Sequence, residues 1–535
     1  MTRWGIVADL NRCVGCQTCT AACKHANATA PGVQWRKVLD IEAGEFPDVR
    51  RSFVPVGCMH CDDAPCMDVC PTTATRKRED GLVTIDYDKC IGCGYCIVAC
   101  PYGARSKVTE PARAFGGKQM RHEALREDPA RLNVAQKCTF CIDRIDGGLA
   151  RGEVPGLDSE ATPACVNSCI ASALHFGDLN DPDSNVSHLL AENESFTMHP
   201  ELGTGPGIHY LYDRDDNAGS AGDAPIDGPP EMVAEPVGMG GVVPKLQNVW
   251  DWRAATNFIL GGTGSGLAVA GAVAGALPLV FAAALMHIAL GLFAVWLEIG
   301  RPWRFLNVFR HPQRSWMTRE ALAAMPLFAC GGLTVLTGHP AAVALTGVFG
   351  MIFLYSQARI LNAAKGIPAW RQKGTIGLIA VTGLTEGTAA LTALAGLAMM
   401  GGLVDVTQVP LSGLCGGLAV LVAVRHAAWR SYRRGLGETG APVETFKALD
   451  GAALRLTAGH QMVVVALLLG ALILPGATGA ALAVAGAAVA LASGWAFKGV
   501  LITRAAFDQG YALERFPARG AGKPARGVKP GWSLS

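Results

Sequence analysis

Long apolar runs dominate the second half of the chain and are missing from the first. After Asn257, eight windows approach the roughly 20 apolar residues a helix needs to cross a bilayer: 257–277, 279–300, 321–338, 341–362, 374–400, 409–428, 456–475 and 478–500. Gly and Ala are abundant in them, which suits close helix packing in lipid. The pattern predicts an all-α polytopic membrane bundle of about eight helices over 248–510. Before it, 203–247 is rich in Gly, Pro and Asp, has no apolar period, and reads as a linker. The rest divides into an amino-terminal domain, 1–202, and a basic carboxy-terminal tail, 511–535.

Composition sharpens this picture. A chain of 535 residues is too long for one compact domain. Half of it is hydrophobic and only 17% charged, against roughly 25% charged in average soluble chains. That excludes a disordered chain. A net charge of +2 leaves no footprint for nucleic acid, so no such partner is expected. The start, MTRWGIVADL, has neither the apolar core nor the twin arginine of an export signal.

The cations are unevenly placed. Of 22 Lys and Arg after Ala254, five lie in 301–320, four in 359–373, six in 425–455 and seven in 498–535, with none near 278, 339, 405 and 476. With eight spans, all basic loops share one side with the amino-terminal domain, and the positive-inside rule makes that side cytoplasmic. Trp250, Trp252, Trp303, Trp316, Trp370 and Trp429 fall near the same boundary. A multi-pass inner-membrane protein with its amino-terminal domain in the cytoplasm is therefore expected.

Sixteen of the eighteen cysteines lie between Cys13 and Cys169, in four groups. Cys13, Cys16, Cys19 and Cys23 are spaced C-x2-C-x2-C-x3-C. Cys58, Cys61, Cys66 and Cys70 are spaced C-x2-C-x4-C-x3-C before Pro71. Cys90, Cys93, Cys96 and Cys100 repeat the first spacing before Pro101. Cys138, Cys141, Cys165 and Cys169 complete the set. The first and third match the bacterial ferredoxin run for [4Fe–4S] binding, whose fourth Cys serves the other cluster. A tight loop supplies three thiolates to one centre, and the next helix carries the fourth to a neighbour. Zinc knuckles and a disulfide framework both fit the four groups poorly.

The exchange rule predicts four quartets: Cys13, Cys16, Cys19 with Cys169; Cys23 with Cys138, Cys141, Cys165; Cys58, Cys61, Cys66 with Cys100; and Cys70 with Cys90, Cys93, Cys96. Four [4Fe–4S] clusters are expected, in an α+β double ferredoxin-like domain. Lys24, Arg76, Lys77, Arg78, Arg105 and Lys107 are candidates for tuning cluster potentials; the plainer reading is a solvated or partner-facing surface. His25 reads as a surface or supporting residue.

The motifs CVGCQTCTAACKHAN, CMHCDDAPCMDVCPTTA, CIGCGYCIVACPYGAR and KCTFCIDRI…PACVNSC carry a resemblance. The segment up to about Asp213 is similar to the four-cluster electron-transfer subunit of the DMSO reductase family of molybdenum enzymes. The resemblance implies a partner chain holding molybdopterin, with molybdenum or tungsten, and electron transfer in single file to a membrane anchor. The region from about 248 to 510 is similar to the haem-free anchors of that family, chiefly through LEIGRPWRFLNVFRHPQRSWMTREAL. There Gly300, Pro302, Arg304, Ser315 and Glu320 fit the pattern, and Glu298 stands where the family often has His. That speaks against a His-dependent quinone site.

Ionisable residues in spans are costly and point to function. Glu298, Arg301 and Glu320 gather at the cytoplasmic end, near where the clusters should dock, and are the candidate quinone site; helix-end ion pairing is the plainer alternative. Glu386 lies mid-span and must pair or be protonated. His287 and His460 are one possible haem pair, too slight a signal for haem to be expected. Cys330 and Cys415 read as packing residues.

The chain is thus read as a non-catalytic electron conduit between a molybdopterin subunit and membrane quinone. A cytoplasmic domain suits oxidation of an internal substrate, and CVGCQTCTAACKHANATAPGVQW and WDWRAATNF look more like the phenylacetyl-CoA:acceptor oxidoreductase group. The alternatives are the same conduit for sulfite or an S- or N-oxide, a redox-linked ion-translocating module, or a tethered ferredoxin module, for which one span would be enough.

Overall fold

The computed structural model describes residues 1–43, 50–110, 113, 116–211, 243–402, 411–453, 458–474, 476–511, 513–516 and 525–528. The chain forms two units: Met1–Lys245 with Asp508–Ser535, and Leu246–Phe507.

The first unit is built on β1 (Trp4–Asp9), whose Ile6, Val7 and Ala8 are fully buried. β1 pairs antiparallel with β8 (Leu174–Asp178) and parallel with β10 (Ile208–Leu211), which pairs in turn with β9 (Ser195–Phe196). Ile6 lies opposite both Phe176 and Ile208, giving the sheet an apolar spine. The remaining strands form two-stranded ribbons: β2 (Arg36–Ala43) with β3 (Arg50–Gly57), β4 (Thr75–Lys77) with β5 (Val83–Ile85), β6 (Arg105–Lys107) with β7 (Ala135–Lys137), and β11 (Leu513–Phe516) with β12 (Ala525–Val528). Each cysteine group follows a strand and runs into a short helix. β1 leads to Cys13 and helix Thr18–Asn27, β3 to Cys58 and Pro65–Asp68, β5 to Cys90 and Tyr95–Val98, and β7 to Cys138 and Ile142–Ala150. Pro65 sits in the first turn of its helix, where no amide hydrogen is needed.

Two boundaries differ from the sequence reading. The predicted linker begins at Gly203, yet Ile208–Leu211 is a sheet strand, because four residues of the right pattern suffice when β1 supplies the pairing partner. Residues 212–242 of that linker lie outside the described residues. At the other end, the predicted anchor runs to Gly510, but Asp508 to Tyr511 belong to the first unit. His199 Nε2 lies 3.0 Å from the Gly510 carbonyl, and the Tyr511 hydroxyl donates to the Tyr102 carbonyl.

The second unit is helical. Among the described residues, seven helices are long and apolar enough to cross a membrane: Trp252–Ala274, Pro278–Glu298, Trp316–Thr337, Pro340–Ala363, Thr375–Met400, Leu411–Gly435 and Gly476–Thr503. The predicted window 456–475 holds a shorter helix, Ala458–Ile473, preceded by residues outside the description. Pro278 and Pro340 open their helices, and Gly275 and Gly338 close the preceding ones in the left-handed conformation.

The two ends of the helical unit lie together. Leu246 bridges Phe507, and the Gln247 amide donates to the Ala506 carbonyl at 3.0 Å. Just outside it, within the first unit, Lys245 and Asp508 exchange bonds: the Lys245 amide donates to Asp508 Oδ1 at 2.8 Å, and the Asp508 amide to the Lys245 carbonyl at 2.9 Å.

Inside the bundle, helices Trp252–Ala274 and Thr375–Met400 touch backbone to backbone. A Cβ on Gly383 would come within 3.2 Å of the Gly262 carbonyl, and one on Gly266 within 3.2 Å of the Gly387 amide. This approach sets a fully buried ion pair, in which Lys498 Nζ lies 2.6 Å from Glu386 Oε2. Thr263 Oγ1 donates to the same oxygen at 3.1 Å, and Lys498 also donates to the Phe258 carbonyl at 3.0 Å. Glu386 is therefore paired, by a residue 112 positions away. Arg425 is fully buried as well, donating to Ser493 Oγ at 2.7 Å and the Ala490 carbonyl at 3.0 Å. Both cations were counted above as loop charges; they belong to the bundle interior. Cys415 is buried among Leu418, Val422 and Leu468, a packing residue as read. Lys498→Met should leave Glu386 buried and unpaired and cost about 3–5 kcal/mol. Denaturant unfolding in mild detergent checks this, with the Glu386→Gln and Lys498→Met double variant recovering most of the loss; an unchanged midpoint in Lys498→Met refutes it.

Candidate metal centres

Each cysteine loop turns on a left-handed residue just before its second cysteine: Gly15 (φ 69°), His60 (44°), Gly92 (71°) and Phe140 (55°). The ferredoxin-type loops carry a second one just after it, Gln17 (61°) and Gly94 (74°). Side chains tolerate this conformation poorly, so a non-glycine residue there needs support. His60 and Phe140 support each other by stacking, with ring centroids 3.9 Å apart. The His60 ring also accepts from the Val83 amide at 3.0 Å through Nδ1, which leaves Nε2 to donate to the Cys138 carbonyl at 3.1 Å. Burial, with Lys137 nearby, holds His60 well below the usual histidine pKa, which suits this neutral tautomer.

The folds of these loops bring the cysteines into four neighbourhoods. Cys13, Cys16, Cys19 and Cys169 line one cavity. Cys23 faces Cys138, Cys165 and Cys141. Cys61 faces Cys58, Cys66 and Cys100. Cys93 faces Cys96, Cys70 and Cys90. The neighbourhoods adjoin in file: Cys19 feels Cys165, Cys138 feels Cys58, and Cys66 feels Cys96. Amides point at several sulfurs, from Ala173 to Cys169 (3.2 Å), Thr75 to Cys70 (3.4 Å) and Phe140 to Cys138 (3.4 Å).

The donor set fits iron–sulfur clusters. Burial pushes the Cys19, Cys66 and Cys96 thiols up to about 11, and Cys100 and Cys138 to about 12. Such thiols give up their protons to a metal rather than to water. Among the described residues no three His, Cys, Asp or Glu side chains converge on a single metal ion; the first quartet surrounds a space instead.

Three cations are buried among the quartets. Arg105 Nη2 donates to Cys66 Sγ at 2.9 Å and Nη1 to Thr75 Oγ1 at 3.1 Å. Lys137 Nζ donates to the Cys138 carbonyl at 2.7 Å. Arg36 opens β2 and is wholly buried. Of the cations singled out in the sequence, Arg105 is bonded to a cysteine sulfur. Lys107 holds the Gly92 carbonyl (2.9 Å), Lys24 the Ala30 carbonyl (2.8 Å), Lys77 pairs with Asp62 (2.6 Å) and Arg78 with Asp146 (2.8 Å), while Arg76 and His25 are exposed. Arg36 and His60 were missed. His60 had a signal, a bulky residue at the loop's left-handed position; Arg36 had none.

In the helical unit the candidate residues divide. Glu298 is buried at its helix end and accepts from the Asp251 amide at 3.2 Å. Arg301 is half-buried in the turn that follows. Glu320 is buried elsewhere, with Asn257 Nδ2 3.4 Å from its Oε1 and Gln357 also bonded to it. Gln357 Nε2 donates to the Asn257 carbonyl at 3.1 Å. Asn257 begins a π-helical turn, Asn257–Gly261, a device that re-aims side chains and recurs at functional sites. Three helices thus meet in one polar knot around Glu320. His287 Nδ1 lies 2.8 Å from the Ala283 carbonyl of its own helix, and His460 is exposed.

A family model described as a 4Fe-4S dicluster domain matches residues 49–115, which hold the second and third cysteine groups. One subunit of the selenate reductase from Mesobacillus selenatarsenatis is 41% identical over 225 residues, covering 39% of this chain and 72% of that protein. One subunit of the sulfite dehydrogenase from Allochromatium vinosum is 40% identical over 228 residues, covering 39% and 83%. The iron–sulfur subunit of arsenate respiratory reductase from a Shewanella species is 38% identical over 236 residues, covering 39% and 96%. Cysteine loops, the neighbourhoods they form and these likenesses agree, and the chain belongs to the family of iron–sulfur subunits of the molybdenum oxidoreductases.

Proposed function

We propose that this chain is both the electron-transfer subunit and the membrane anchor of a multi-subunit oxidoreductase, relaying electrons between a molybdopterin subunit on another chain and membrane quinone. The observation that carries the reading is the file of four cysteine quartets in a chain that also holds membrane-length helices. Cys13, Cys16, Cys19 and Cys169 would hold the first [4Fe–4S] cluster; Cys23, Cys138, Cys141 and Cys165 the second; Cys58, Cys61, Cys66 and Cys100 the third; Cys70, Cys90, Cys93 and Cys96 the fourth. This is the arrangement of two ferredoxin-like lobes. Bound clusters supply one-electron transfer. The protein's own part is to bury the thiols, aim amides at them and keep water away.

We infer eight membrane crossings. A chain whose ends lie side by side must cross an even number of times, and Leu246 and Phe507 are bridged. Seven long helices therefore call for Ala458–Ile473 as the eighth crossing. The cation bias then argues for a cytoplasmic iron–sulfur unit in the inner membrane.

For quinone, Glu298, Arg301 and Glu320 are the proposed residues, with Asn257 and Gln357 added. Glu320 has the strongest claim, as a buried acid held by two amide side chains. It would place a proton at a quinone oxygen, while Asn257 and Gln357 keep its orientation fixed. The narrower substrate proposal is a cytoplasmic one, phenylacetyl-CoA, with sulfite or an S- or N-oxide as the alternatives.

Metal analysis of the complex drawn gently from native membranes should give about sixteen irons per copy of this chain, with molybdenum or tungsten and a large partner. Full iron with neither metal would detach the chain from a molybdopterin partner, and bound zinc with little iron would overturn the cluster assignment. Glu320→Gln should slow quinone-linked turnover about 10²-fold, as loss of a general acid does, with iron content unchanged; wild-type turnover would remove Glu320 from the site. Deleting the gene should abolish membrane-linked oxidation of phenylacetyl-CoA, and unaltered oxidation would eliminate that substrate.

A further inference from the structure

Arg36 is the first residue of β2, opposite Gly57 of β3, and is wholly buried. None of its three guanidinium nitrogens has a hydrogen-bond partner among the described residues. A buried cation with five unused N–H donors is very costly, so the site requires acceptors that the polypeptide itself does not provide. Arg105, the other arginine buried among the quartets, spends its donors on Cys66 and Thr75.

The location of Arg36 says which acceptors these are. The charged groups acting on it are Cys165, Cys138 and Cys19, followed by the Tyr210 hydroxyl. Cys19 belongs to the first quartet, and Cys138 and Cys165 to the second. Arg36 therefore stands at the junction of the first two proposed clusters, as Arg105, acted on by Cys66 and Cys96, stands at the junction of the last two. Resting on the quartet reading above, we propose that the Arg36 guanidinium donates hydrogen bonds to sulfurs of both the first and second clusters and holds both reduction potentials up. Positive charge and N–H···S bonds both favour the reduced cluster, which carries one more negative charge. A guanidinium stays protonated in proteins whatever its surroundings. The charge is thus permanent rather than switched. Arg36 touches no substrate; it is a positioning residue acting through the clusters.

The test is a redox titration of the intact complex, followed by electron paramagnetic resonance, with iron counted on the same samples. Arg36→Met should keep about sixteen irons while two of the four cluster signals move to lower potential. A tenfold change in each reduction equilibrium, ~59 mV for one electron, is the expected scale. Arg36→Lys, which keeps the charge but loses the planar fork of donors, should move the same two signals less. Loss of iron confined to two clusters in Arg36→Met also supports the assignment. Full iron with four unmoved potentials overturns it, as does an equal shift of all four. If Arg36→Met does not assemble, Arg36→Lys decides: two shifted signals uphold the bridge, four unmoved ones refute it. Failure of both variants to assemble makes Arg36 a residue of the fold and refutes it too. A wild-type complex well short of sixteen irons would instead fault the quartet reading itself.

Discussion

Sixteen thiols, eleven of them buried, gathered in a unit of modest size are the constraint around which the rest of that unit is arranged. A thiolate is a buried negative charge, and neither a short strand nor a four-residue helix can stabilise several of them by apolar packing. The fold answers with backbone. Four strands each deliver a loop, and left-handed residues at one recurring position turn each loop about its second cysteine. It answers also with charge, in Arg36, Arg105 and Lys137, all essentially excluded from solvent. The secondary structure is correspondingly sparse among the described residues: paired ribbons and short helices, with one four-stranded sheet around β1.

The helical unit solves a different problem by similar means. In lipid, helices gain nothing from burying apolar side chains against each other, so small residues and internal polar contacts hold them together. Glycines let Trp252–Ala274 and Thr375–Met400 meet backbone to backbone. Beside that seam sit the Glu386–Lys498 pair and, on another part of the same first helix, the knot of Asn257, Gln357 and Glu320. Both polar groupings draw on one helix, whose π-helical turn at Asn257 shifts the register between them.

Much of this was legible in the residues. The strand, loop and short helix around each cysteine group follow from local spacing, in which the fourth cysteine stands four residues beyond the third, on the helix as Cys23 does or just past its end as Cys70, Cys100 and Cys169 do. The apolar windows matched helices for the same local reason. What was not legible depends on long-range pairing. Lys498 reads as a basic residue at a span end until the fold brings it to Glu386, and Arg425, near the end of its own predicted span, reads as a boundary cation until the fold buries it against Ser493 and Ala490. Ile208–Leu211 is too short to announce itself without β1. Arg36 is one arginine among many in the sequence; only its burial, with every donor unused, sets it apart.

The pairing of Lys245 with Asp508 has a consequence for how the molecule is made. In chain order the whole helical unit is inserted into the first unit, some of whose contacts, Gly510 with His199 and Tyr511 with Tyr102, come after the final membrane helix. A ribosome that has finished all sixteen of the clustered cysteines has not yet made the segment that packs beside Tyr102 and Thr204, next to Cys61 and Cys100. The third quartet thus remains without one of its covering segments until the bundle has been synthesised. Biogenesis of the two halves is coupled by the path of the chain itself: all sixteen of these cysteines precede the last membrane helix, and the segment that closes over the third quartet follows it.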